Sequence, residues 1–369
     1  MSIALAVLLT LHGLIHLMGF LKAFGLAELP QLEGHISGPL GVLWLVATVA
    51  MLSTAASLYV LPRWWWAVGA VAVVVSQVVI VTSWSDAKFG TIINAVVLVG
   101  AVLGYFSVGP TSLSAEYDRE VRRGLARAAP MATVTDADLA PLPEPVQRYL
   151  RLAGVVGSPR IQSYRLRFTG RIRGGPDSPW MPLTAEQHSF ADQPTRLFFM
   201  RATRSGLPVL GLHRFVDGEA SMRVRVLSAV PVVSLSGPKL TRAETVTLFN
   251  DMCVIAPATL IGPGITWEVR DAQHVTAWFT TGGFTIEATL VFNLTGELVD
   301  FFSDDRPVLE ADGVTLTPSR WSTPLSRYQH FGPFWLAAHG EAHYRHPVSG
   351  EYAYGEFDLS DIAYNVGPP

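Results

Sequence analysis

Residues 91–123 read TIINAVVLVGAVLGYFSVGPTSLSAEYDREVRR, and the change of character inside that stretch decides the architecture. From Thr91 to Val108 no side chain carries a charge, and the run is close to the length a helix needs to cross a bilayer. Past Gly109 and Pro110 it becomes Tyr117-Asp118-Arg119-Glu120-Val121-Arg122-Arg123, a basic helix suited to anionic lipid headgroups. Residues 1–115 hold only six charged side chains, Lys22, Glu28, Glu33, Arg63, Asp86 and Lys88, while the other 51 of 57 lie beyond them. The overall 15% of charged residues, against about 25% in soluble domains, is therefore an average over a membrane part and a water-facing part. This composition argues against an ordinary cytosolic enzyme.

Working back towards the N-terminus, apolar stretches recur at 3–24, 40–61 and 66–84, so four transmembrane helices are expected with the one at 91–108. The first has neither a basic start nor a small-x-small cleavage site and reads as a retained span. Pro30, Gly34, Gly38 and Pro39 interrupt the first connection, Pro62 and Arg63 the second, and Ser85-Asp86-Ala87-Lys88 the third. Trp64, Trp65, Trp66 and Trp84 sit at span ends, where indole rings anchor in the headgroup layer. Arg63, Arg119, Arg122, Arg123 and Arg127 fall on one side of the membrane against Lys22 and Lys88 on the other. The positive-inside rule then places the N-terminus and the C-terminal domain in the cytoplasm.

Two polar features of this half are candidate sites. His12 and His16 lie four apart on one helix face; with His35 or Glu33 they form a candidate metal or haem site. The alternative is neutral imidazoles hydrogen-bonding across the bundle to Gln77 and Asn94. Asp86 and Lys88 are polar groups at the membrane interface.

Beyond the switch, 128–145 reads as a linker rich in Ala, Pro, Thr and Asp, and 145–152 as a short helix. From about 161 the period is two: Tyr164, Leu166 and Phe168 alternate with Arg165, Arg167 and Thr169. About ten such strands joined by tight turns, among them Asp217-Gly218, Gly282-Gly283 and Asp312-Gly313, predict an antiparallel meander that curls over a core or a cavity. Thr241-Arg242-Ala243-Glu244 matches a capping box opening a helix, placed either across the mouth of the curled sheet or on one face as core. The predicted fold is thus an all-α membrane domain, 1–110, a juxtamembrane helix and linker, 111–145, and a mainly antiparallel β domain, 146–369. That domain is expected to be a curled half-barrel with one or two covering helices.

No nucleophile elbow, phosphate loop or dinucleotide fingerprint occurs, and no catalytic residue is assigned. Cys253 reads as buried packing, Asp304-Asp305-Arg306 as a solvated strand end, and His188, His213, His274 and His330 as scattered. His339, Glu341 and His343 share one strand face, either a polar exposed face or a zinc site. A net charge of −3 gives no reason to expect nucleic acid.

Leu142-Pro143-x-Pro145-Val146-x-Arg148-Tyr149, Cys253-Val254-Ile255-Ala256-Pro257 and Tyr354-Gly355-Glu356-Phe357-x-Leu359-x-x-Ile362 together resemble a bacterial family known only as a domain of unknown function. Leu11-His12-Gly13-Leu14-Ile15-His16 and Ser85-Asp86-Ala87-Lys88-Phe89-Gly90-Thr91 are similar to the four-helix region in front of that domain. The resemblance implies a multi-pass protein of the bacterial inner membrane and brings no reaction. Tyr328-x-x-Phe331-Gly332-x-Phe334-Trp335-Leu336, followed by two long strands, looks like the end of lipoprotein-carrier domains, curled half-barrels with helices over the concave face. Those carriers work outside the cytoplasm, so the arginine count here departs from them.

Two functions follow as expectations. One is binding of a lipid or other apolar ligand by the β domain, with Phe198, Trp267, Trp278, Phe292, Trp321 and Trp335 lining the cavity, membrane lipids as partners and no cofactor. The other is a membrane haem or metal redox protein centred on His12, His16 and His35. In that second reading the sheet is a regulatory or partner-docking domain, whose partner the sequence does not name.

Overall fold

The computed structural model describes residues 2–127, 131–310 and 312–367. The chain divides into two compact units, Met1–Glu116 and Tyr117–Pro369.

Among the described residues of the first unit, four helices are long and apolar enough to cross a membrane: α1 (Ser2–Ala23), α2 (Gly38–Val60), α3 (Trp65–Thr82) and α5 (Gly90–Val108). One turn of helix, α4 (Trp84–Ala87), fills the third connection. The helices break where the sequence loses apolarity or gains proline; Pro39 sits in the first turn of α2, where its missing N–H costs nothing. Ile3, Val7, Leu11, Val71, Val74, Ile92 and Val99 point outward and are exposed, a surface suited to lipid rather than water. Small residues set the helix contacts: a Cβ at Gly19 would lie 2.0 Å from the Trp44 ring, and one at Gly41 2.3 Å from the Ala23 side chain.

The second unit begins within α6 (Leu113–Leu125), followed by α7 (Asp136–Leu139) and α8 (Glu144–Leu152). Residues 128–130 of the expected linker lie outside the described residues. The expected basic helix is α6, and one face of it is covered. Tyr117 stacks on Phe199 at 5.5 Å and its hydroxyl meets His188 Nδ1 at 2.7 Å, while Glu120 accepts from Arg214 at 3.1 Å. Arg122 and Arg123 stay exposed on the other side.

Six antiparallel strands follow: β1 (Ser163–Ile172), β2 (Met181–Phe190), β3 (Thr195–Arg204), β4 (Leu207–Val216), β5 (Glu219–Val226) and β6 (Val230–Ser236). After α9 (Pro238–Val254) come β7 (Ile265–Val269), β8 (His274–Thr281), β9 (Phe284–Phe292) and β10 (Leu298–Ser303). A small hairpin, β11 (Val308–Leu309) with β12 (Leu316–Thr317), precedes β13 (Arg320–Ser322), β14 (Leu325–Phe331), β15 (Phe334–His346) and β16 (Gly350–Tyr364). Among the described residues sixteen strands thus stand where the periodicity shows about ten. β2 and β4 escape it because Gln187, His188, Gly211 and His213 interrupt their alternation.

Fourteen strands form one open sheet in the order β6-β5-β4-β3-β2-β1-β16-β15-β13-β10-β9-β8-β7, with β14 on β15. It is the expected curled half-barrel, but not in simple sequence order: the last strand lies in the middle and joins two meanders. Its edges, β6 and β7, are separated in the chain by α9 and a 3₁₀ turn (Pro257–Leu260). That connection must therefore pass from one edge of the sheet to the other, and α9 does so through the concave side, packing against both meanders. The curl is tight enough for the β4–β5 and β8–β9 turns to meet: a Cβ on Gly218 would lie 3.0 Å from Gly282 Cα, both glycines having positive φ.

The core forms where α9 fills the curl. Phe249 stacks on Phe279 at 5.0 Å and meets Phe301 at 5.9 Å, and Tyr149 of α8 donates its hydroxyl to the Cys253 carbonyl at 2.7 Å. One sequence expectation fails here. The helix starts at Pro238 behind Gly237, so Thr241 and Glu244 are not its capping box. The Thr241 hydroxyl instead accepts from the Ala220 amide, and Glu244 is buried.

Candidate functional site

Helix α9 covers only part of the concave face. Cross-strand register places Leu166, Gln187, Phe198 and His213 in one row, and Phe168, Ala185, Met200 and Gly211 in the next. Leu166 belongs to the core under α9. Beyond it, Leu183, Ala185, Phe198, Met200, Ala202 and Val209 form a separate apolar cluster against Phe168, Ile172 and Phe357. At the boundary between the two lies a cavity of about 180 Å³. That is the scale of a cavity of about 150 Å³ known to take benzene, and enough for a ring or part of an acyl chain. Ala338 and Gly340 are among its lining residues, and a single methyl and a bare Cα leave the space open.

Charged groups line the end nearest α9. Arg196 of β3 donates from Nε to Asp251 Oδ2 at 2.6 Å and lies 3.4 Å from Glu244 Oε2. Gln187 donates to the same Asp251 oxygen at 2.7 Å. Arg306 lies 3.5 Å from Glu244 Oε1, donates to Thr247 at 2.8 Å and bonds the Tyr344 hydroxyl, with its guanidinium 4.7 Å above Trp321. His213 Nδ1 is 3.8 Å from Glu244 Oε1. Burial works against ionisation of Glu244, but His213, Arg306 and Arg196 beside it bring its pKa down to about 2. Burial likewise works against the charge of Arg196, which Asp251 and Glu244 more than restore. Two guanidinium groups thus face two carboxylates, so the formal charges of these four groups cancel, with His213 beside Glu244. Asn250 donates to Thr323 Oγ1 at 2.7 Å beside them.

Of the six aromatic residues expected at a ligand site, Phe198 and Trp321 line this cavity. The other four lie elsewhere. Phe292 is fully buried against Tyr149, and Trp267 packs on Phe249. Trp278 donates to Glu287, and Trp335 donates to Glu297 while packing on Tyr328 and His330. The charged partners were not singled out from the sequence. Glu244 reads there as a cap and Arg306 as a solvated strand end, whereas Glu244 is buried and only 11% of the Arg306 side chain is exposed. Their signal was spacing: Glu244, Thr247 and Asp251 stand at helical intervals on one face of α9.

The histidines of the first unit have other partners. His12 donates from Nε2 to Asn94 Oδ1 at 3.1 Å, and the Ser76 hydroxyl donates to the same oxygen at 3.0 Å. With that hydroxyl committed, His16 donates from Nε2 to Ser76 Oγ at 2.7 Å. Asn94 donates on to Gln77, and Gln77 to Thr91. His35 is exposed in the first connection while His12 and His16 are buried, and among the described residues no three His, Cys, Asp or Glu groups are arranged to hold a metal ion. The Nε2 atoms of both rings are thus taken up by Asn94 and Ser76. Asp86 accepts from the Gly34 amide at 2.9 Å, tying the first and third connections together, and Lys88 lies 5.5 Å from the Phe89 ring. On β15, His339 bonds Asp358 at 2.8 Å and His343 bonds Glu341 at 2.7 Å.

No curated protein matches the chain. Among solved structures, a putative outer membrane lipoprotein-sorting protein domain from Vibrio parahaemolyticus is 8% identical with a TM-score of 0.30, covering 56% of this chain and 86% of its own. A DUF1329 family protein from Desulfovibrio piger is 12% identical with a TM-score of 0.35, covering 60% of this chain and 92% of its own. At those TM-scores the likenesses are distant. Residues 132–357, well over half of the sequence and nearly all of the sheet domain, match a single family, and the chain belongs to it: the family of unknown function DUF6544.

Proposed function

We propose that this protein is a membrane-anchored binding protein whose sheet domain holds a lipid or other apolar molecule in the cavity beside α9. The observation that carries the reading is the uncovered part of the concave face. Phe168, Phe198, Met200 and Phe357 form apolar walls that α9 does not fill, and an unfilled apolar cavity costs stability unless something occupies it. Four membrane helices in the same chain keep the domain near a store of apolar ligand, and the excess of arginine at one set of span ends favours the cytoplasmic side. Binding rather than catalysis is the role this geometry supports: the carboxylates and guanidinium groups neutralise one another instead of facing the cavity as a free acid, base or nucleophile.

The test is lipid analysis of detergent-extracted protein beside an Ala338→Phe variant, which fills the cavity. Wild type is expected to retain a stoichiometric apolar ligand and the variant to lose it, with both folded by circular dichroism. Equal ligand content in the two proteins, or none in either, overturns the reading. Reporter fusions at the C-terminus that are active only outside the cytoplasm would overturn the orientation.

A further inference from the structure

We infer that the cavity selects uncharged amphiphiles, with a hydroxyl or ester head, over anionic ones such as fatty carboxylates; this rests on the binding role proposed above. The selecting element is the polar end formed by Arg196, Asp251, Glu244 and Arg306. An arginine at the end of an apolar cavity ordinarily recommends a carboxylate or phosphate ligand. Here both guanidinium groups are already engaged. Asp251 holds Arg196 at 2.6 Å, and Glu244 stands 3.4 Å from Arg196 and 3.5 Å from Arg306. All four side chains are close to nine-tenths buried or more. Arg306 also donates to Thr247 and Tyr344. An anion entering this end would lose its hydration, and the basic groups it meets there, His213 at 3.8 Å from Glu244 included, already face carboxylates.

A neutral head loses far less on leaving water, and hydrogen-bonding groups suited to one are in place. Asn250 donates from Nδ2 to Thr323 Oγ1 at 2.7 Å. That bond leaves the Asn250 carbonyl to accept from a ligand hydroxyl and the Thr323 hydroxyl to donate to a ligand carbonyl. Both residues line the cavity beside the ion network, with Phe198 and Met200 on its apolar wall. The arrangement fits a molecule whose tail lies on the bare sheet and whose hydroxyl and ester oxygens face α9.

The experiment uses the full chain in lipid nanodiscs at about pH 8, incubated with equal concentrations of monolauroylglycerol and dodecanoate and read by native mass spectrometry. The tails are identical and only the head differs. Monolauroylglycerol is expected to exceed dodecanoate in bound occupancy by about tenfold or more, given the cost of desolvating the carboxylate. Equal occupancy, or a preference for dodecanoate, overturns the inference while leaving the binding role intact. Absence of both adducts, with no difference from Ala338→Phe, overturns the binding role as well. A Glu244→Gln protein carries one uncompensated guanidinium charge and is expected to shift preference towards dodecanoate. An unchanged ratio in that variant, once folded, overturns the assignment of selectivity to this network. The wild-type comparison decides the matter whether or not the variant folds.

Discussion

Between the membrane helices, His12, His16, Ser76, Gln77, Thr91 and Asn94 bond to one another with no side chain carrying an obligatory charge. Under α9 of the sheet domain, Arg196, Arg306, Glu244 and Asp251 bond to one another as four ions. Both seams are buried, and the difference lies in what surrounds each chain before it is packed. A membrane helix that has not yet packed is already in lipid, where an ion is costly and a polar group finds other partners. The unfolded sheet domain is in water, so its ions are tolerable until they are buried and must be paired afterwards. The neutral seam should therefore be forgiving, and the ionic one should not.

The strongest way to break this contrast is Arg196→Met, which strands buried Asp251 and takes from Glu244 one of its basic partners. Urea unfolding of the sheet domain, followed by tryptophan fluorescence in the full chain, is expected to show a loss of about 3–5 kcal/mol; a loss no larger than that of a surface substitution would end the distinction. Next in size is the acid response of Glu244. Its folded pKa of about 2 lies below the ordinary 4.5, so its contribution is complete above about pH 4.5 and fades as pH falls towards 2. The total is about 3 kcal/mol, removed in Glu244→Gln.

His188 supplies a milder case on the outer face of the sheet. Burial lowers its pKa from 6.5 to about 4, although Glu186 opposes that shift. The unfolded chain binds the proton first, so stability is full above about pH 6.5 and declines as pH falls towards 4. The loss is about 2 kcal/mol after allowing for residual solvent contact. Hydrogen exchange should locate it in α6, where Tyr117 bonds His188. The smallest effect belongs to the membrane seam: Asn94→Leu should cost about 1 kcal/mol in detergent unfolding. A loss as large as that of Arg196→Met would erase the comparison.

The four spans were legible because crossing a bilayer depends on the length and apolarity of one continuous segment. The hydrogen bond from His12 to Asn94 was legible as well, since a polar side chain inside a span has few places to go. Strands such as β9 and β10 were readable from alternation. The cavity was readable only in part. Phe198 and Trp321 reach it, but Phe292, equally aromatic and equally on a strand, packs into the core under α8. Side-chain type does not say which part of a concave face a helix will cover.

Arg196, Glu244, Asp251 and Arg306 show the limit most clearly. In the sequence each has a sufficient local explanation, as the polar position of a strand, a cap, a helix residue and a strand end. Their meeting depends on the placement of α9, and that follows from β16 pairing between β1 and β15. This pairing leaves β6 and β7 as opposite edges and sends the connection between them through the curl. The sequence by itself determined which residues must avoid water and with what period. Only the tertiary structure decided which charges would meet inside and which part of the sheet would stay bare. Strand order is a long-range property, fixed by hydrogen bonds between segments whose local patterns would serve other orders equally well.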